Sequence, residues 1–546
     1  MKVIVSFLLT GLLYSCIACA QNKRPNIIFI FSDDHAYQAI SAYGNKLVST
    51  PNIDRIANSG ALLQNNFVAN SICGPSRATL LTGKFSHKNG YYDNGATPFN
   101  INQLVFPQLL QLQGYQTAWI GKMHLNALPK GFDYLNVLSG AGGQGTYFNP
   151  EFVNNNRDTI THKGYVTNLI TNFFFDWLQN RDTSKPFFAV VGEKATHREW
   201  LPDIQDLGAY DNTDFPLPAD FFDDYATRLA AQQQDMTIDK TMRLKEDLKV
   251  GQPFGLQLTT AQLDSFRVVL EKRYPGKQFT DEDVRLKKAS WDGYARLDAT
   301  QAQAYQHYYG DKITKEFGSK QLSGKDLVKW KFERYLKDYY ATAKSMDRNI
   351  GKILDYLDST GLSKNTVVIY ASDQGFYLGE HGWFDKRFMY DESLRTPFLI
   401  RYPGKIKPGI KINNLVSNVD WAPTVLDIAG IKTPGEMQGE SFLPLLKGDK
   451  AANWRKEVYY HYYEYPEPHH VSPHFGLRTS DYLLIRFYKG VESWELFDLK
   501  KDPGELHNVY NDPKYQKTIA DLKERLKQQM LKYDDKDALE IFNKGL

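Results

Sequence analysis

The chain has little cysteine. It holds 3 in 546 residues, and Cys16 and Cys19 fall in an N-terminal leader, so only Cys73 is left to the processed protein. No disulfide can form within that protein, and a lone thiol in an exported chain is open to oxidation or mispairing. Long apolar runs are missing too. Residues 3–14 form the main one, too short to span a bilayer comfortably, and nothing later has the length of a transmembrane segment. Charge of one sign is not in excess: Lys and Arg number 66 against 63 Asp and Glu, a formal net charge of +3, with no basic block to serve as a nucleic-acid arm. An anionic ligand must therefore be read by a local site and not by the overall field. Internal repeats and low-complexity segments are also lacking.

What is present starts with the leader. Lys2, the apolar run and Ala18-Cys19-Ala20 before Gln21 predict a secretory signal over residues 1–20 and an exported, periplasmic protein. The alternative is acylation at Cys16 or Cys19, giving a lipoprotein at the cell surface. Aromatics make up 14% of the chain, with 34 Tyr and 9 Trp. That suits stacking on sugar faces, although strand and core packing explains most aromatics in any protein. The length exceeds the usual single-domain range and predicts two units, residues 21–435 with an insertion at about 203–335, and residues 436–546.

Apolar runs at residues 26–31, 117–120, 186–191, 366–370 and 397–400 have the pattern of buried parallel strands. Helical patterns at 106–112, 167–178 and 336–357 lie between them. The alternation predicts an α/β unit with helices on both faces of a largely parallel sheet, where ligands bind beyond the carboxyl ends of the strands. The insertion has weaker helical periodicity at 236–248 and 260–272. Tyr-rich stretches at 458–465, 482–488 and 495–498 predict an antiparallel sheet, closed by an amphipathic helix over 512–532.

Cys73 lies in Cys73-Gly74-Pro75-Ser76-Arg77. Pro75 suits a first helical turn, Ala78 to Leu81 continue it and Gly83 ends it, so Cys73 stands just ahead of a helix N-terminus whose free N–H groups favour anions. Arg77 adds a permanent positive charge one turn in. A lone cysteine is more often a buried structural residue; these neighbours point instead to an anion site built around sulfur. The first strand ends in Ser32-Asp33-Asp34-His35 and the fourth in Ser372-Asp373-Gln374-Gly375. An Asp pair by itself is more often a turn or helix cap. Three carboxylates and an amide oxygen at two strand ends suit a hard divalent cation such as Ca²⁺ or Mg²⁺. Lys122 and His124 follow the second strand and share one side if it continues, as two donors for an anion. His197 follows the third strand, where a histidine alone is usually a surface or capping residue. Lys386 sits in a charged loop that Trp383, Phe384 and Phe388 keep near the protein.

The chain resembles a type I sulfatase of the alkaline-phosphatase-like superfamily. Cys73–Arg77 matches the C-x-P-S-R signature, Gly121–His124 the G-K-x-H element, and Asp33-Asp34 with Asp373-Gln374 the calcium-ligand pairs. The match extends to Glu495-Leu496-Phe497-Asp498-Leu499 and Asp502-Pro503-Gly504-Glu505 near the C-terminus. The resemblance implies an α/β fold with a mostly parallel sheet flanked by helices, and a smaller C-terminal α+β subdomain carrying an antiparallel sheet. It implies that Cys73 becomes formylglycine (3-oxoalanine) through a formylglycine-generating or radical maturase. One Ca²⁺ would be held by Asp33, Asp34, Asp373, Gln374 and the modified Cys73. One hydroxyl of the hydrated aldehyde attacks sulfur and displaces the alcohol; the second then drives C–O cleavage that expels sulfate. In the same scheme Arg77 orients the formylglycine, Lys122 and Lys386 hold sulfate oxygens, His124 is the base that releases sulfate, and His197 protonates the leaving oxygen. Gln374 stands where Asn is commoner, and is still an amide donor.

More of the chain is similar to a narrower group, the N-acetylglucosamine-6-O-sulfatases of glycosaminoglycan and mucin-type glycans. The stretches are Gly131-Phe132-Asp133-Tyr134, Gly143-Gln144-Gly145-Thr146-Tyr147-Phe148-Asn149-Pro150, residues 194–200 and residues 384–390. By this resemblance Asp385 and Arg387 contact the sugar, and His474 reaches the pocket from the C-terminal unit. Asp385 pairing only with Arg387, and a structural His474, are the plainer alternatives. A sulfatase for another sugar, a phosphate or phosphonate ester hydrolase of the same superfamily, and a non-catalytic binder of sulfated glycans also stay open.

Overall fold

The computed structural model describes residues 24–95, 97–449 and 453–545, so the leader and its two cysteines lie outside it. At its centre is a ten-stranded sheet. Its order begins Ile410–Ile412, Ala61–Leu63, Phe398–Arg401, Thr366–Ser372, Asn26–Ser32 and continues Phe187–Gly192, Gln116–Gly121, Tyr134–Leu138, Glu151–Asn154, Thr159–Thr161. The five strands from Thr366–Ser372 to Tyr134–Leu138 are parallel. Along Asn26–Ser32, Ile27, Phe29 and Phe31 enter the core on one face, and Ile28 and Ile30 enter the core on the other. Burial on both faces is why this sequence is a continuous apolar run with no alternation. Helices Cys73–Thr82, Phe106–Leu112 and Trp421–Ile428 cover one face; Val166–Asn180 and the 36-residue Gly324–Ser359 cover the other.

A second sheet is antiparallel and four-stranded: Glu457–Tyr462, His474–Thr479, Tyr482–Phe487 and Ser493–Asp498. The helix Gln516–Tyr533 packs Leu522, Leu526 and Met530 against its Leu477, Leu484 and Leu496. Met437, Phe442 and Leu443 still belong to the core of the large sheet, so the chain leaves that core only shortly before Glu457. Among the described residues, no helix is long and apolar enough to cross a membrane.

Four local expectations are corrected. Phe398–Arg401 is antiparallel to Thr366–Ser372. No crossover helix returns the chain to the far edge; the connection holds only Asp391–Leu394 and short pairings, so the strand re-enters from the same end. Residues 236–248 form turns: at their start Ile238 N–H donates to Gly382 O (2.9 Å) and Met236 O accepts from Phe384 N–H (3.1 Å), and the rest makes separate local bonds such as Thr241 N–H to Thr237 O (3.0 Å) and Asp247 N–H to Arg243 O (3.1 Å). The strand before Lys122 stops at Gly121, whose φ of +97° bends the chain, and a Cβ there would come within 2.0 Å of Gly192 O. Lys122 and His124 therefore leave a bend, with His124 at φ +54°, and not an extended strand. The long helix starts at Gly324, earlier than the periodicity at 336–357 indicates.

Candidate active site

The register of the parallel strands assembles the site. Ser32 pairs with Ser372, so Asp33 and Asp34 emerge beside Asp373 and Gln374. Phe31 and Gly121 both pair with Gly192, which brings the 193–198 loop and Lys122 to the same edge. Helix Cys73–Thr82 points its N-terminus at this edge. Cys73 is its first residue, and Gly83, in the left-handed region at φ +61°, ends it.

Asp33, Asp34 and Asp373 are fully or almost fully buried, with carboxylate oxygens within 4.8 Å of one another. Three buried negative charges need cations. Arg77 clamps Asp373 through Nε (3.0 Å) and Nη2 (2.8 Å), Lys386 reaches both oxygens of Asp34 (2.7 and 2.8 Å), and Lys122 pairs with Asp33. Burial opposes ionisation of Asp33, but Lys122, with help from Arg77, holds its carboxyl well below the usual range. Burial pushes Asp34 up against the pull of Lys386, and burial with the nearby Asp33 pushes Asp373 up to about 7. Gln374 Nε2 donates to Asp34 Oδ1 (2.5 Å), while its buried Oε1 has no partner. Three carboxylates plus an orphaned amide oxygen fit a hard divalent cation.

Cys73 Sγ lies 3.3 Å from Asp33 Oδ1 and 3.6 Å from Gln374 Nε2. Burial, reinforced by Asp33, pushes the thiol up and away from thiolate formation. Arg77 also donates from Nη1 to Lys122 O (2.8 Å) and lies 4.6 Å from the Phe31 ring centroid, so its guanidinium is fixed on every side.

Both histidines are held neutral. Burial, then the charge of Lys122, lowers His124 and His197 well below the ordinary imidazole value. His197 Nδ1 donates to Arg198 O (2.6 Å), which leaves Nε2, 4.0 Å from Asp34 Oδ2, as the free nitrogen. The His197 loop is braced by Arg198, which grips Asp247 of the insertion at 2.6 and 2.8 Å.

Asp385 and Arg387 meet each other (2.7 Å) beside Lys386, whose Nζ is 3.4 Å from Asp385 Oδ1. Two residues that sequence reasoning passed over join them, and a third, Lys194, belongs to the Lys122 side of the site. His469 Nε2 is 2.8 Å from Asp385 Oδ2. Glu464 Oε2 is 3.4 Å from Arg387 Nε, and its Oε1 accepts from Asn94 N–H (3.2 Å). Lys194, almost buried, stacks its ammonium 5.0 Å from the Tyr147 ring centroid, and burial, then Lys122, lowers it to about 8. The His469-His470 doublet and the charged 193–198 stretch were the available signals. His474 lies against Phe388 of the same loop and makes no hydrogen bond to Asp385. It stacks on Tyr460, Tyr462 and Phe388, donates from Nδ1 to Ser472 O (2.9 Å), and keeps an unpartnered Nε2. Burial lowers it to about 3.

A family profile described as Sulfatase matches residues 25–431, and one described as N-sulphoglucosamine sulphohydrolase, C-terminal, matches residues 379–532. A Bacteroides thetaiotaomicron protein named N-acetylglucosamine-6-O-sulfatase is 45% identical over 520 residues, covering 95% of this chain and 88% of that one. A structure solved in complex with its substrate D-glucosamine-2-N,6-O-disulfate matches with a TM-score of 0.85 at 44% identity, covering 94% of this chain and 99% of the other. The phosphonate monoester hydrolase of Agrobacterium radiobacter shares the fold alone, with a TM-score of 0.62 at 18% identity over 93% and 96% of the two chains. With the family profile spanning most of its length, the chain belongs to the sulfatase family of sulfuric ester hydrolases.

Proposed function

We propose that the protein removes the 6-O-sulfate of N-acetylglucosamine in glycosaminoglycan or mucin-type glycans, with Cys73 converted to formylglycine. The observation that carries this reading is the convergence of three carboxylates, an amide oxygen, Arg77, two lysines and two histidines on one buried cysteine. The sugar is supported by the relative named for it and by the similar structure solved with a 6-O-sulfated glucosamine.

A maturase of the formylglycine-generating or radical type replaces the thiol of Cys73 by an aldehyde, whose hydrate supplies the two hydroxyls that attack sulfur and later expel sulfate. Calcium, held by Asp33, Asp34, Asp373, Gln374 and the modified Cys73, supplies positive charge beside the sulfate when bound. The remaining work belongs to the chain. Arg77 orients residue 73 from a guanidinium that Asp373 and Lys122 O immobilise. Lys122 and Lys386 hold sulfate oxygens and offset the charge that develops at transfer. The neutral His124 accepts the proton of the residue-73 hydroxyl during sulfate release. His197 presents Nε2 to the pocket; the anionic ester favours its protonated form, which donates to the departing sugar oxygen. Asp385 and Arg387 hold neighbouring sugar hydroxyls. His474 Nε2 is an acceptor for the sugar, since Nδ1 already donates to Ser472 O.

The leader-like residues 1–20 accord with action in the periplasm or, if acylated, at the cell surface, which fractionation would separate. Sulfate release from defined saccharides, with regiochemistry read by NMR, tests the substrate. Release from 6-O-sulfated N-acetylglucosamine and none from other sulfated positions or from 4-nitrophenyl phosphate is expected. Turnover of the phosphate ester with none of the sulfates would contradict it.

A further inference from the structure

We propose that the enzyme also binds the sugar residue next to the sulfated one, in a groove running from His124 to Trp291, and that this neighbour is acidic. The inference rests on the saccharide reading above and extends it to a site of its own.

The groove encloses about 530 Å³, within the range typical of small-molecule sites. Its inner end is His124, a residue of the sulfate site that feels the charges of Lys122 and Asp33, so the groove adjoins the sulfate pocket at that side chain. There the wall is bare backbone. A Cβ added to Gly142 would stand 2.7 Å from Asn126 Oδ1 and 3.5 Å from the His124 ring, so a side chain at that position would close the passage. A saccharide with its sulfated carbon at Cys73 that continues past His124 enters this space.

The outer end is Trp291. Its relative exposure is 57%, whereas Trp119, Trp200, Trp383 and Trp421 are fully buried. The indole is nonetheless fixed: it lies on Gly140, at φ +84°, where a Cβ would come within 2.5 Å of the ring. A large apolar face kept in water on a rigid seat, at the mouth of a polar pocket, is shaped to stack on the C–H face of a pyranose. Arg157, exposed on the same groove, supplies a guanidinium fork whose geometry matches a carboxylate or sulfate. The occupant that satisfies both features is an acidic pyranose.

The test compares kcat/KM for three substrates: the 6-O-sulfated monosaccharide, and disaccharides that join it to an acidic or to a neutral sugar. Wild type, Trp291→Ala and Arg157→Ala are measured, with thermal melts as a folding control. Wild type is expected to favour the acidic disaccharide over the monosaccharide by roughly tenfold. Trp291→Ala should bring that ratio to about twofold or less. Arg157→Ala should erase the preference for the acidic over the neutral disaccharide. Equal turnover of all three by wild type, or a ratio that Trp291→Ala does not move, overturns the groove alone. No sulfate release from any of the three overturns the substrate reading together with it.

Discussion

The sulfate pocket and the sugar-facing loop are built in opposite ways. In the pocket, Asp33, Asp34, Asp373, Gln374 and Lys122 each follow a parallel strand within two residues, so strand register alone sets them side by side. The loop of Asp385, Lys386 and Arg387 has no such scaffold. Asp385 and Arg387 sit at φ +78° and +98°, where non-glycine residues are strained, and distant groups impose that shape. Tyr460 hydroxyl donates to Arg387 O (2.6 Å), Tyr390 hydroxyl donates to Glu495 (2.7 Å), and Glu505 accepts from Asp391 N–H (2.9 Å). Three of these partners come from the second sheet or the segment after it. Chemistry is thus encoded by local runs, whereas selectivity depends on contacts formed across the chain.

The contrast can be broken in graded steps. Lys386→Ala should do the most, because it removes a sulfate contact and leaves Asp34 buried without its ammonium. A loss of about 10³-fold or more in kcat is expected on every sulfate ester. Arg387→Ala should lower kcat/KM on 6-O-sulfated N-acetylglucosamine by about 10²-fold while affecting 4-nitrophenyl sulfate far less, since an aryl ester has no sugar hydroxyls. Equal losses on both would place Arg387 in the chemistry and erase the distinction between the two regions. Tyr460→Phe is the milder probe, deleting the hydroxyl that donates to Arg387 O and accepts from Ser71 N–H (3.1 Å). It should cost about 1 kcal/mol, a few-fold in saccharide turnover, with aryl sulfate turnover nearly unchanged.

The smallest effect concerns the seam between the two sheets, where His87 (3.1 Å) and His461 (2.8 Å) share the Asp535 carboxylate. Burial would push Asp535 up, but His461 and His87 hold it well below the usual range. Burial lowers His461, with Asp535 acting in the opposite sense. A group with a depressed folded pKa stabilises the protein above its unfolded value, near about 6.5 for histidine, and loses that contribution as pH falls. Asp535 adds a loss of the same sign further into acid. Melting temperature should therefore decline below about pH 6.5, and His461→Gln should flatten the decline. An unchanged slope would show that this seam does not sense protons.

The same contrast decides what the sequence reveals. Asp33, Asp34, Asp373 and Gln374 are legible because strands buried on both faces appear as apolar runs that stop abruptly at acids. Helix Cys73–Thr82 is legible because Pro75 and Gly83 punctuate it. The direction of Phe398–Arg401 is not, since an apolar run carries no sign of its connection. Residues 236–248 have helical periodicity yet are pinned at their start to the 382–384 segment and continue as separate turns. Glu464 escapes notice because it acts on Arg387 from some 80 positions away with no local pattern to mark it, and the His469-His470 doublet does not say that His469 meets Asp385. Their role is written only in the tertiary structure.

The central claim is that Cys73 is the precursor of the nucleophile and not the nucleophile itself. Mass spectrometry of the peptide spanning Cys73, from protein made in a host that carries a maturase, tests it most directly. A loss of about 18 Da relative to the encoded thiol is predicted, in proportion to specific activity across preparations. Full activity with an unmodified thiol at Cys73 would contradict the account.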